Sequence, residues 1–365
     1  MSSTISRPPA ALTRRRRPWQ TALAAGAAAT MLAACGGGDE EPTGGGDGAA
    51  AADGELQEVT FLNILPLESL TFSPELVASS CGFFEDQGLD VSFEATQGSA
   101  QAIQTIIAGG ALITRVGDME TMLAIAERDA PLVNIGQINK TGTIRFVSAA
   151  SDPLESPEDI EGRLVGTPSE GGTSEIILKL VAAEAGIPPE EVQTQVTGLA
   201  PGVFDLVTSG RIGGYIVSLD TSVALEQQQP DAVIMSPSDF VDSGGQVYIT
   251  SEEQAEDPEK QEQLRSYMAA IKEAVQFMAE DEANDFAETI ECLSDYDIPT
   301  LENPEVAQGS LSQYVESWTA AGEDEIVQTV PEQWEAVYEE MSGSGFVPEG
   351  LDPAEWYTND FAPGS

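Results

Sequence analysis

The chain has no histidine among its 365 residues. Histidine-based triads, histidine general bases and histidine metal ligands are therefore excluded. Cysteine is almost as scarce, with three in all: Cys35, Cys81 and Cys292. Basic residues are few, 15 Lys and Arg against 62 Asp and Glu. Five of them (Arg7 and Arg14 to Arg17) precede Cys35, where no acid occurs, so the body that follows carries ten basic residues against all the acids. Such a surface repels nucleic acid and anionic lipid headgroups. The acids are spread along the chain, which fits solubility in strong salt, where like charges are screened. Long hydrophobic runs are also missing. The apolar stretch from Ala22 to Ala34 falls well short of the ~20 residues that span a bilayer.

That short stretch lies behind the basic cluster Arg14–Arg17 and ends in Leu32-Ala33-Ala34-Cys35. The arrangement reads as an export signal over residues 1–34. Its arginines admit the twin-arginine route beside the general secretory one. Residues 35–55 hold almost no large apolar side chain and read as a flexible linker. A body of roughly 310 residues remains, enough for two domains of ordinary size. In an exported, oxidising setting Cys81 and Cys292 are either one disulfide or two buried thiols. No metal or cofactor is expected.

Within the body, short β-type runs alternate with helical ones. Strands are expected at 59–65, 89–96, 111–116 and 131–136, with helices at 74–87, 99–108 and 118–128 between them. The run 143–150 is a strand that would leave this sheet for a second. There, strands at 163–168, 192–198, 213–218 and 232–237 alternate with helices at 173–186, 201–209 and 220–228. The run 246–250 reads as a return crossing. Helices at 257–280, 281–293, 304–321 and 330–342 close the chain. Two α/β lobes with a helical C-terminal section follow from this rhythm.

In open parallel sheets, ligands bind where strands end and helices begin. Four such turns carry hydroxyl, amide or carboxylate groups: Thr96 to Gln101, Val116 to Glu120, Pro168 to Ser174 and Ser218 to Ser222. Helix capping alone accounts for many turns of this kind. Their repetition across two lobes points to a cleft. Gly166 to Thr173 nearly spells the phosphate loop G-x-x-x-x-G-K-[ST], with Gly172 in the lysine position. The point charge for the outer phosphates is thus missing, and Lys179 lies about two turns along the helix. An ATPase is not expected. What remains is a helix start that favours a negative group by up to ~1–2 kcal/mol. Phe72, after the first strand, would stack on a ligand or close the mouth. Arg115, Lys140 and Arg145 lie near first-lobe turns and would hold a counter-charge, although surface ion pairs are the commoner fate of such residues in an acidic chain. Trp318 and Trp334 read as packing residues, and Trp356-Tyr357 as a clasp for the C-terminus.

The run ELVASSCGFFEDQGLDVSFEATQGSAQAIQTIIAGG (75–110) resembles the first lobe of solute-binding proteins of ABC importers. The resemblance is to the group binding thiamine-pyrimidine precursors, aliphatic sulfonates, taurine and nitrate. DIEGRLVGTPSEGGTSEIILKLVAAEAGI (159–187) and GLAPGVFDLVTSGRIGGYIVS (198–218) match its second lobe, and the likeness covers roughly 57–345. The aspartate of the family's G-x-[IV]-D-A pattern is missing at Arg211 to Gly214, and its first-lobe counterpart is missing at Ala108 to Leu112. The Leu-Ala-Ala-Cys run resembles a bacterial lipobox, which makes Cys35 the lipidated residue.

The resemblance implies a type II periplasmic-binding-protein fold, two hinged α/β lobes around a cleft, with lobe one at 56–145 and 248–365 and lobe two at 146–247. It implies a monomeric receptor on the outer face of a bacterial membrane, with a small-molecule ligand and the permease and ATPase subunits of an importer as partners. No nucleic acid and no enzymatic activity are expected. The residues expected to line the cleft are Phe72, Ser99, Gln101, Asp118, Ser169, Gly172, Thr173 and Asp220. A pyrimidine-like or other amine-bearing heteroaromatic nutrient is the leading ligand, and a sulfonate, taurine or nitrate anion the alternative. A signalling receptor would share these features. A carboxylate-based extracellular enzyme is the reading of another class, and no two acids stand at a readable catalytic spacing for it.

Overall fold

Ten strands among the described residues sort into two five-stranded sheets. A computed structural model describes residues 55–364 except Pro66, Ser243 and Gly244. The expected signal, Cys35 and nearly all of the linker lie outside the described residues. In chain order the strands are β1 (Gln57–Asn63), β2 (Leu89–Ala95), β3 (Ile113–Gly117), β4 (Leu132–Gln137), β5 (Ile144–Ala149), β6 (Leu164–Thr167), β7 (Gln193–Val196), β8 (Gly214–Ser218), β9 (Ala232–Met235) and β10 (Gln246–Ser251).

The first sheet has the order β2-β1-β3-β10-β4 and the second β7-β6-β8-β5-β9. β1 pairs in parallel with β2 and β3, and β6 with β7 and β8. The fourth position of each sheet is filled by an antiparallel strand exchanged with the other: β5 leaves after β4 for the second sheet, and β10 returns after β9 to the first. The two crossings expected from the sequence are therefore present. The first crossing starts beside the end of the second, since Ile138 N–H donates to the Gln246 carbonyl at the head of β10.

The helices follow the strands because their apolar residues recur at helical spacing. The longest, Pro258–Asp281, is capped by Asp257, which accepts from the N–H of Glu259 and Lys260. It buries Leu264, Tyr267, Met268, Ile271, Val275 and Met278 along one face. Tyr267 stacks on Phe61 of β1, with ring centroids 5.7 Å apart.

Two expected helices are broken. The one at 74–87 is two pieces, Ser73–Ser80 and Phe83–Asp86, because Gly82 takes a left-handed conformation at φ 88° that ends the first. The one at 281–293 starts only at Ala287, after Asp285 and Phe286 at φ 54° and 58°. Cys81 ends the first of these helices and is disulfide-bonded to Cys292 in the last, so the first sheet's leading helix is tied to the helical C-terminal section. The final segment is held as the sequence suggested. Tyr357 forms a bridge beside Asn134 of β4, and its ring meets Trp334 at 6.1 Å.

Candidate functional site

The polar turns lie where parallel strands end. Helix Ser99–Ile107 begins behind Gly98, and helix Thr173–Glu184 begins behind Gly172. Neither start has a side-chain cap, so the first N–H groups of both helices are not taken by a capping residue. The two turns, one from each sheet, face each other. A methyl group on Gly98 would stand 3.2 Å from Ser169 Cβ. One on Gly172 would stand 3.1 Å from Ser169 Oγ and 3.8 Å from Ser99 Oγ. Gly117 likewise has no room for a side chain against Thr173 and Glu120. The Thr173 hydroxyl hydrogen-bonds the Glu120 carboxylate across the same gap. Glycine at these positions lets one backbone approach the other.

A cavity of about 70 Å³ remains between the turns, lined by Phe72, Ser99, Thr143, Ser169, Gly172 and Thr173 among others. It adjoins a second, more apolar cavity of about 250 Å³ bounded by Leu65, Pro168, Leu199, Pro201 and Asp220. Five of the eight expected cleft residues thus meet around one space.

The other three do not reach it. Gln101 is exposed, and its amide oxygen accepts from Gln97 N–H at 2.8 Å, a bond inside its own turn. Asp220 is buried and already engaged. It accepts from Ser69 Oγ at 2.9 Å, Leu70 N–H at 3.2 Å and Tyr314 Oη at 3.0 Å. It therefore ties the loop after β1 and a C-terminal helix to the second sheet, and borders only the apolar cavity. Asp118 is buried at the start of helix Asp118–Arg128 and accepts from Met119 N–H at 2.7 Å and Gly245 N–H at 2.6 Å. Burial pushes its carboxyl up to about 7, partly offset by those two N–H groups. It borders a different groove, of about 640 Å³, along the crossing connections.

Phe72 lines the small cavity with one face committed: the Arg115 guanidinium lies 5.0 Å from its ring centre. Arg115 is not a surface ion pair. It is fully buried, 3.1 Å from Glu75, and donates to the Thr71 carbonyl at 2.6 Å. Lys140 and Arg145 take part in none of the ion pairs among the described residues. No cation lines the small cavity, whose polar side chains are hydroxyls and the Gln246 amide, with the Glu120 carboxylate beside them.

Glu120 was missed from the sequence. Its signal was present: it is two residues past Asp118 on the same helix start, where an acid is favoured by the helix dipole. No group of three or more potential metal ligands occurs among the described residues, nor any helix long and apolar enough to cross a membrane.

Two α/β sheets with exchanged antiparallel strands and facing helix starts define a periplasmic-type binding-protein fold. Residues 69–284 match the NMT1/THI5-like family, and the chain belongs to it. It is 22% identical over 320 residues to the riboflavin-binding protein RibY of Chloroflexus aurantiacus, covering 86% of this chain and 88% of that one. It is 28% identical over 144 residues to a formylaminopyrimidine-binding protein of Halalkalibacterium halodurans, covering 38% of this chain and 42% of the other. In fold it is similar to the alkanesulfonate-binding protein SsuA of Xanthomonas axonopodis pv. citri bound to MOPS. That match has a TM-score of 0.62 at 14% identity and covers 84% of this chain and 99% of that one. Both of these sequence relatives are named as binding proteins rather than enzymes.

Proposed function

We propose that the chain captures a small nutrient between its two sheets on the outer face of a bacterial membrane and hands it to the permease and ATPase subunits of an ABC importer. In this reading residues 1–34 are removed on export, Cys35 carries lipid and residues 35–55 form the tether. Residues 56–145 with 248–365 form one lobe and 146–247 the other. Ligand shifts the lobes towards the closed form through its higher affinity for that form.

The observation that carries the reading is the meeting of Ser99 with Ser169, Gly172 and Thr173 across a closed gap. A ligand's polar edge could be held there from both sheets at once. The ligand class follows from charge. Arg115 is spent on Glu75, and the neighbouring polar groups are hydroxyls, the Gln246 amide and the Glu120 carboxylate. Those groups suit a pyrimidine-like or other amine-bearing heteroaromatic compound, which donates hydrogen bonds. The riboflavin and formylaminopyrimidine named for two relatives are heteroaromatic as well.

A sulfonate, taurine or nitrate anion is the second reading. The two uncapped helix starts favour it. Thermal-shift measurements against aminopyrimidines, riboflavin, taurine and nitrate, in low and high salt, distinguish the two. A ligand at about 100 times its Kd adds about 2.7 kcal/mol to stability. A rise with the heteroaromatics alone supports the first reading, and a rise with the anions alone replaces it with the second. No rise with any compound in either salt refutes both.

A further inference from the structure

The apolar cavity of about 250 Å³ has one wall that the sequence did not suggest, the short helical turn Pro299–Glu302 of the C-terminal section. That section is fastened to the second sheet's side. Asn303 Nδ2 donates to Gln227 Oε1 of helix Leu219–Gln228 at 3.3 Å, and Tyr314 Oη donates to Asp220 at the start of the same helix. Pro299 and Thr300 thereby share the cavity with the loop after β1 and the turn at Pro168. Leu65, Pro168 and Leu199 border both this cavity and the small one, so the two are compartments of one space.

The polar side chains around the apolar compartment are paired or solvated, with one exception. Asp220 accepts three hydrogen bonds, one of them from Ser69 Oγ. Thr221 Oγ1 lies 3.1 Å from Ser218 Oγ. Glu68 is exposed to solvent, where a carboxylate needs no partner. Thr300 is only 7% exposed, and its hydroxyl has no hydrogen-bond partner. A buried hydroxyl left unpaired costs stability, a cost that a valine of the same shape would not incur. The unpaired hydroxyls of Thr289 and Ser310 border neither compartment. No Lys or Arg lines either one.

We propose that Thr300 is a specificity residue of the cleft, its hydroxyl pairing with an uncharged polar substituent on a ligand whose ring fills the apolar compartment. A threonine hydroxyl donates or accepts, so a hydroxyl or a carbonyl on the ligand suits it. An oxyanion does not: it would lie among Asp220 and Glu68 with no cation to meet it. The inference rests on the reading that the ligand lies between the two sheets. It adds that the C-terminal section selects one of the ligand's substituents.

The test is ligand-observed NMR titration of the full chain with benzyl alcohol, toluene and benzoate. Benzyl alcohol binds, and benzoate binds about tenfold or more weaker. Thr300→Val weakens benzyl alcohol about threefold or more, the scale of one neutral hydrogen bond, and leaves toluene as tight or tighter. Thr300→Ser keeps the hydroxyl and binds benzyl alcohol within about twofold of the parent. Because the hydroxyl is unpaired in the ligand-free fold, Thr300→Val melts no lower than the parent. The proposal is overturned if benzyl alcohol does not bind, or if Thr300→Val leaves its affinity unchanged or weakens toluene by the same factor. Benzoate binding as well as benzyl alcohol overturns it, and so does a lower melting point for Thr300→Val, which would give the hydroxyl a structural role. None of these failures touches the cleft reading itself, since aminopyrimidines or riboflavin would still raise the melting temperature.

Discussion

Glu75→Gln should unsettle the cleft from behind. Glu75 is fully buried, with Arg115 Nη1 3.1 Å from one carboxylate oxygen and the Tyr248 hydroxyl donating to the other at 2.7 Å. Arg115 in turn holds the Thr71 carbonyl and lies over Phe72, so the pair fixes the loop that forms one wall of the small cavity. Glutamine keeps the shape and removes the charge, which leaves a buried guanidinium without a counter-ion. Breaking a buried pair from one side costs about 3–5 kcal/mol. A body of roughly 310 residues unfolds with an entropy of roughly 0.65 kcal/mol per kelvin, so Tm should fall by about 5–8 °C. Differential scanning calorimetry reads this directly. Replacing both partners, Glu75→Leu with Arg115→Met, removes both charges and should recover most of the loss, because apolar substitution of a buried pair is often neutral. The Tyr248 hydroxyl and the Thr71 carbonyl lose partners, which holds the recovery about 1–3 kcal/mol short. A Glu75→Gln protein melting within about 1 °C of the parent would refute the reasoning. So would a double variant melting no higher than the single one.

Stability should pass through a minimum near neutral pH as far as Asp118 and Lys140 govern it. Asp118 keeps its proton in the folded state up to about pH 7 against an ordinary value of 3.8, so its contribution is present at low pH and lost as pH rises through that window. Burial lowers Lys140 from 10.5 to about 7, so the unfolded chain binds the extra proton and stability returns as pH rises above 7. Melts at about pH 5, 7 and 9 check this: Asp118→Asn should flatten the acid limb and Lys140→Met the alkaline one. Reducing the Cys81–Cys292 bridge, or replacing both cysteines with alanine, should cost about 2–5 kcal/mol, read as a lower melting point with reductant. Asp220→Ala strands three donors, those of Ser69, Leu70 and Tyr314, and should destabilise by about 3 kcal/mol or more in urea unfolding. Asp220→Asn, which keeps an acceptor, should cost less.

The alternation of strands and helices was legible because it is written locally, in apolar periodicity and in glycine punctuation. The strand exchange was legible too, since β5 stands between two alternating runs and β10 between the second run and the closing helices. What failed was the fate of individual polar groups. Asp118 and Asp220 open helices after strands, as ligand-facing acids do. Each is instead consumed by backbone or side chains more than ninety positions away, Gly245 for one and Ser69, Leu70 and Tyr314 for the other. Local sequence marks where a helix begins; it does not say which distant segment folds over that start. Gln101 failed for the opposite reason, because its partner Gln97 is four residues away and the bond is too local to need a cleft.

The turn from Gly166 to Thr173 joins both cases. By sequence, Gly172 is a phosphate loop's lysine gone missing, which is a statement about charge. In the fold even a methyl at that position would press within 3.1 Å of Ser169 Oγ and approach Ser99 from the other sheet. A lysine stem would first have to turn aside the Ser169 side chain of its own turn. The other sheet comes to this glycine only at ordinary contact distance, through Ser99, and the space between the two turns, rather than a phosphate cradle, is what the residue borders.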